Sequence, residues 1–132
     1  MIDIEAKIYS PIATALKAEY QGIFVTSEPT PTPEKPLVVG IVQQDNYMSR
    51  DKLDNSGRER LATVMFQIDV YCNQQTGKKS KCKEVMGFID RMMFDLNFTR
   101  EALTPLPSPD TGYYRYIARY RAETDGETMY RI

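Results

Sequence analysis

Residues 62–97 constrain the fold more than any other part of the chain, because the period of the apolar pattern changes there within a few positions. Residues 62–72 (ATVMFQIDVYC) alternate as a strand does, which places Val64, Phe66, Ile68 and Val70 on one face. After a short turn at 73–75, residues 76–97 repeat their apolar positions at helical spacing, with Val85, Ile89, Met92 and Leu96 on one stripe. Each element offers the apolar surface that the other needs. A β-turn-α unit is therefore the expected core.

The rest of the chain supplies further strands and one more helix. Ile4, Ile8, Ile12, Leu16 and Tyr20 recur every fourth position and predict a helix over 2–20. Pro11 lies inside it, so the helix either bends there or starts near Ser10 as a cap, and the early, bent helix is preferred. Residues 22–28 read as a short strand, followed by an arm over 28–36 whose four prolines suit an extended, exposed connection. A second strand over 37–46 is apolar on both faces at its start, as a central strand is, and Gly40 allows a bulge. The charged segment 47–61 is too polar for core, and a loop of that length is either functional or disordered.

Beyond the second helix, 98–106 reads as an edge strand stopped by Pro105, Pro107 and Pro109, with a turn at 110–112. Residues 113–124 (YYRYIARYRAET) alternate in register. Tyr114, Tyr116, Ala118, Tyr120 and Ala122 form the core face, and Tyr113, Arg115, Ile117, Arg119 and Arg121 form the other. A last short strand within 127–132 closes the list after an Asp125-Gly126 turn. The expected fold is α+β in the order α-β-β-β-α-β-β: a mostly antiparallel sheet of four to five strands with both helices on one face. At 132 residues the chain reads as a single domain, 1–132.

That arrangement leaves the sheet face opposite the helices to water or to a partner. It gathers Met65, Gln67, Asp69 and Tyr71 with Arg115, Ile117, Arg119 and Arg121, a mixture richer in aromatic, Met and Arg residues than simple exposure favours. This face is the candidate interface. Arg50, Lys52, Arg58 and Arg60 of the charged loop join it as candidate contacts.

Chemistry is otherwise sparse. Basic and acidic residues number 17 and 18, so the chain as a whole is not an electrostatic binder of nucleic acid or membrane. There is no histidine, no Gly-x-Ser-x-Gly elbow and no carboxylate pair set by spacing, and Asp69 is the one placed acid worth testing as a base. Cys72 and Cys82 fit two reduced thiols in a cytosolic product better than a zinc site or a disulfide framework. The amphipathic amino-terminal stretch is too charged for a signal or membrane segment. Gly77-Lys78-Lys79-Ser80 sits where a phosphate loop would, but Cys72 stands where that motif requires its first glycine and Lys79 where it requires Ser or Thr. What remains there is a helix start crowded with Lys78, Lys79, Lys81 and Lys83 at the positive end of the dipole, either a solvated face or a dock for an acidic surface. No catalytic, cofactor-binding or metal site is expected.

Residues 66–126 resemble the small tail-completion, or tail-terminator, proteins of long-tailed bacteriophages and prophages. The resembling features are the strand ending VYCN, the GKKSKCKEVMGFID helix start, the LNFTRE exit, the Pro-rich bridge and the YYRYIARYRA strand, with looser likeness over IYSPIATALKAEY and GIFVTSE. The resemblance implies a structural virion assembly protein without catalysis. Its subunits form a ring, commonly a hexamer, that caps the tail tube, ends its polymerisation and offers the surface for head joining. Implied partners are other copies of the chain, the tail tube protein and a head-tail connector protein, with DNA only as passing cargo and no membrane. The implied place is the head-proximal end of the virion tail, assembled in the host cytoplasm. By the same analogy loop 47–61 and the Pro-rich arm would reach the neighbouring subunit, the tube or the neck, and the alternative implied for the Arg115, Arg119 and Arg121 face is to line the channel that DNA crosses. A head-to-tail connector component is the alternative within this class, and a small nucleic-acid-binding domain using the arginine-bearing strand is the alternative outside it.

Overall fold

A computed structural model describes residues 1–28, 37–48, 61–73, 77–108 and 113–132. The elements run α1 (Glu5–Glu19), β1 (Phe24–Thr26), β2 (Leu37–Met48), β3 (Ala62–Cys72), α2 (Lys78–Asp95), β4 (Thr99–Ser108), β5 (Tyr113–Thr124) and β6 (Met129–Tyr130). The strands form one sheet in the order β1-β2-β3-β5-β4, and β6 also pairs with β5. Among the described residues only the β1–β2 pairing is parallel; β2–β3, β3–β5, β4–β5 and β5–β6 are antiparallel. This is the α+β architecture expected from the pattern.

Both helices cover the same side of the sheet. Val64, Phe66, Ile68 and Val70 of β3 and Tyr116, Ala118, Tyr120 and Ala122 of β5 are buried there against Ile8, Ile12 and Leu16 of α1 and Val85 and Ile89 of α2. Phe66 meets Phe98 edge-on, with ring centroids 5.6 Å apart, a contact worth about 0.5–1.5 kcal/mol beyond the area it buries. Leu37 to Ile41 of β2 are all buried, since β1 and β3 flank that end of the strand.

The early helix preferred from the pattern is the one that forms: α1 runs Glu5–Glu19 with Pro11 inside it, so the alternative start capped by Ser10 does not hold, and Asp3 accepts a hydrogen bond from the Glu5 amide at 3.2 Å. Other expectations need correction. The buried stripe of α2 is Cys82, Val85, Met86, Ile89 and Met93, with Met92 and Leu96 only partly buried at its margin. Cys82 draws the stripe round, because its thiol donates to the Val70 carbonyl at 3.1 Å. Strand β2 continues to Met48, so Tyr47 and Met48 belong to the sheet rather than to the charged loop. Pro105 and Pro107 do not stop β4, which runs through both opposite Tyr116 and Tyr114. An edge strand tolerates them because one side of its backbone has no ladder to complete. Most of the turn expected at 73–75, the turn at 110–112, most of the arm at 28–36 and most of loop 47–61 lie outside the described residues.

Helix α2 ends in a tight C-terminal motif. Asn97 takes the left-handed conformation at φ 68°, its amide donates to the Phe94 carbonyl and the Phe98 amide donates to Met93, both at 3.0 Å. The Asn97 side-chain amide then donates to the Met129 carbonyl at 3.0 Å, which ties β6 to the helix exit.

Candidate functional site

The face away from the helices is assembled by the register of β3 against β5. Tyr71 lies opposite Arg115, Asp69 opposite Ile117, Gln67 opposite Arg119 and Met65 opposite Arg121. All eight residues expected on this face from β3 and β5 are therefore direct cross-strand partners. Arg50, Lys52, Arg58 and Arg60 lie outside the described residues.

The polar groups of this face form one connected system. Arg115 donates to Asp69 Oδ1 at 3.1 Å, and its guanidinium carbon stands 5.0 Å from the centroid of the Tyr71 ring. Gln67 donates to both carboxylate oxygens of Asp69, at 3.4 and 3.3 Å. Its carbonyl accepts from Arg119 Nε at 3.4 Å and from Gln44 at 2.7 Å. Arg121 Nε lies 2.9 Å from Glu101 in an ion pair whose alignment falls outside hydrogen-bond geometry. Burial raises the Tyr71 hydroxyl above its usual pKa, the Asp69 charge adds to the rise and Arg115 opposes it.

Two of these partners were not legible in the sequence. Gln44 sits where the β2–β3 register shifts between Gln43 and Asp45, and Glu101 sits where the β4–β5 register shifts between Arg100 and Ala102. Each irregularity adds an extra residue to one strand. The extra residue in each case carries the side chain that reaches a polar group of the central pair of strands. The face is also less open than its alternation suggests. Val38 and Asp69 are buried, at 1% and 8% exposure, whereas Arg119 is exposed. Above this polar system Phe24, Val38, Tyr71 and Leu106 belong to one row across the sheet, with Phe24 and Leu106 exposed at either edge.

Asp69, the one acid singled out as a possible base, is engaged on both oxygens by Arg115 and Gln67. Among the described residues no group of three or more His, Cys, Asp or Glu side chains is placed to hold a metal ion, and no helix is long and apolar enough to cross a membrane. A concavity of about 280 Å³ lies on the helix side between α2 and β4 and is lined by Asp90, Phe94, Phe98, Thr99, Arg100, Tyr120 and Arg131. Its polar groups satisfy one another: Tyr120 donates to Asp90 at 2.8 Å, Arg100 pairs with Asp90 at 3.3 Å, and Arg131 lies 4.0 Å from the Phe94 ring centroid. That arrangement pins the carboxyl end of α2 to the sheet.

No protein-family model matches this chain, and no curated protein matches it.

Proposed function

We propose that this chain is a structural subunit of a virion: one member of a ring that caps the tail tube of a long-tailed phage, ends tube polymerisation and provides the surface for head joining. Its work on this reading is contact geometry rather than catalysis. The observation that carries the proposal is the make-up of the open face. Aromatic, Met and Arg side chains are held there on regular strands, and the charges of Arg115 and Arg121 are already balanced by Asp69 and Glu101. A face of this kind suits a protein neighbour, since aromatic residues, Met and Arg are the types enriched where proteins meet. A ring needs two different patches on each subunit, so this face would meet a second surface of the next copy.

The nucleic-acid reading is weaker on the same residues. Arg115 and Arg121 each face a carboxylate within 3.1 and 2.9 Å, which leaves Arg119 as the one arginine of β5 without an acidic partner among the described residues. Phosphate binding draws on uncompensated cations, and its affinity falls steeply with salt.

The test is reconstitution. Tail tubes assembled without the chain and then mixed with it should carry a ring at one end in electron micrographs, and should stop growing. Arg119→Glu should fold normally and fail to cap. Binding to a portal-side connector with no effect on tubes would move the chain to the neck, and DNA binding with a steep salt dependence would favour the nucleic-acid reading.

A further inference from the structure

Cys72 and Cys82 come together on the helix side of the sheet. Cys72 ends β3, Cys82 lies one turn into α2, and both are thiols buried completely in the same core cluster. The Cys82 sulfur lies 3.1 Å from the Val70 carbonyl oxygen and 3.6 Å from that of Tyr114, the residue directly opposite Cys72. It therefore sits over the β3–β5 pair at the level of Tyr71 and Arg115, whose side chains leave by the other face. The side chains of Val70, Cys72, Tyr114 and Tyr116 wall the hollow that those two residues leave.

Strand geometry puts the Cys72 β-carbon about 4–5 Å from a sulfur at the centre of such a hollow, so a shift of about 1–2 Å brings the two cysteines to bonding position. Charge coupling agrees with that placement. After burial, the Cys72 thiol is the next contribution that pushes Cys82 up to about 12. Neither sulfur is open to solvent in the folded chain, so an oxidant meets them only while the chain is folding or unfolded. The same packing would shield a closed bond from reductants afterwards.

We propose that Cys72 and Cys82 are a staple set by redox conditions at folding: when α2 docks on β3 in the presence of a small-molecule disulfide, the pair closes into an intramolecular disulfide. One cysteine thiolate attacks the small disulfide and releases one small thiol, and the other attacks the mixed disulfide at its protein sulfur and releases the second. Two electrons pass from the cysteines to the reagent, and the two thiol protons leave with the two small thiols. In reducing surroundings the pair stays as thiols, with the Cys82 bond to the Val70 carbonyl in place. The device is independent of the virion reading and of the open sheet face.

Refolding of the whole chain from urea, in excess oxidised or excess reduced glutathione, tests it by intact mass, peptide mapping after alkylation, and urea midpoints. In the oxidised buffer the chain should emerge two hydrogens lighter, with the bond mapped to Cys72 and Cys82. Closed chain should outnumber the glutathione adduct about tenfold or more, because docking holds the second sulfur at an effective concentration above that of a flexible tether. The closed chain should also unfold at higher urea than the reduced chain. Cys72→Ser should gain no urea resistance from the oxidised buffer, which ties the gain to the bond. Chain already folded and reduced should close only as fast as it unfolds, and a dithiol should reopen the closed chain no faster. Refolded wild-type chain that keeps both thiols or carries glutathione on each would overturn the proposal. So would a closed chain less resistant to urea than the reduced one, and rapid closure in folded protein would show that the bond is not set at folding.

Discussion

Arg115 and Tyr71 face each other across the central pair of strands, the guanidinium carbon 5.0 Å from the ring centroid, while the same guanidinium reaches Asp69 at 3.1 Å. The arginine thereby serves two neighbours on β3. Its removal leaves a largely buried carboxylate, 12% exposed in its side chain, with Gln67 as its remaining side-chain donor among the described residues. Arg115→Ala is expected to destabilise the fold by about 1–3 kcal/mol, a range already lowered because Arg115 is itself part-exposed. Asp69→Asn in the same background should recover part of the loss, since the uncompensated charge is then gone. Urea melts of the two variants check this, and a double variant no more stable than Arg115→Ala would contradict it.

Arg119, two residues along the same face, should behave oppositely. It is exposed, and its one described contact is a long bond of 3.4 Å to the Gln67 carbonyl. Arg119→Glu is expected to change stability by no more than about 0.5 kcal/mol. Its effect should fall on assembly. Equal losses in melting and in ring formation would mean that the side chain is needed for the monomer, as a strand slipped by one residue would require.

The alternation of β3 and β5 was legible in the sequence because both strands carry a strict apolar face, so a shift of one residue would bury three arginines. The face of α2 was legible only to within part of a turn. Three methionines, at 86, 92 and 93, give no sharp edge to its stripe, and a cysteine bonded to the sheet fixed the rotation. The site partners Gln44 and Glu101 were hidden for a different reason: they arise where two strands shift register, and no local pattern announces an extra residue. The parallel pairing of β1 rests on three residues, too few for any periodicity to declare a direction.

Asn97 gives a test of how the fold leaves α2. Its φ of 68° suits Gly or Asn, and its side chain also donates to the Met129 carbonyl and accepts from Arg131 at 3.3 Å. Asn97→Ala is expected to cost about 1–3 kcal/mol, from a left-handed residue with a Cβ and the lost tie to β6. Asn97→Gly keeps the backbone freedom and loses only the side-chain bonds, so it should fall between the two. A glycine variant less stable than the alanine variant would place the cost outside the backbone.

Cys82 should be chemically quiet in the folded state. It is fully buried, and burial, with a smaller contribution from Cys72, pushes its thiol up to about 12. Thiolate, the reactive form, is then scarce at pH 8. Labelling by a thiol reagent is expected to follow global unfolding, accelerating with urea in step with the loss of structure. Rapid labelling of native protein at Cys82 would show that the start of α2 opens locally.

Tyr120 is one of the groups that make the fold sensitive to alkali. Its ring is buried, its hydroxyl donates to Asp90 at 2.8 Å, and Arg100 pairs with the same carboxylate at 3.3 Å. Burial raises its pKa above the usual 10.0 first, the hydrogen bond and charge of Asp90 raise it further, and Arg100 offsets a part. The folded chain therefore holds this proton more tightly than the unfolded chain does. Stability from this group is intact below the unfolded value near pH 10 and declines as pH rises from there through the higher folded value. Tyr120→Phe should be less stable at neutral pH by about 1 kcal/mol, the net worth of the lost bond, and should lose stability more gently above about pH 10. Tyr20, Tyr71, Tyr116 and the Cys82 thiol are raised as well, so the phenylalanine variant should still decline, only less steeply. Urea midpoints taken across the alkaline range for both proteins decide it, and curves that fall in parallel would show that Tyr120 ionises as it does in the unfolded chain.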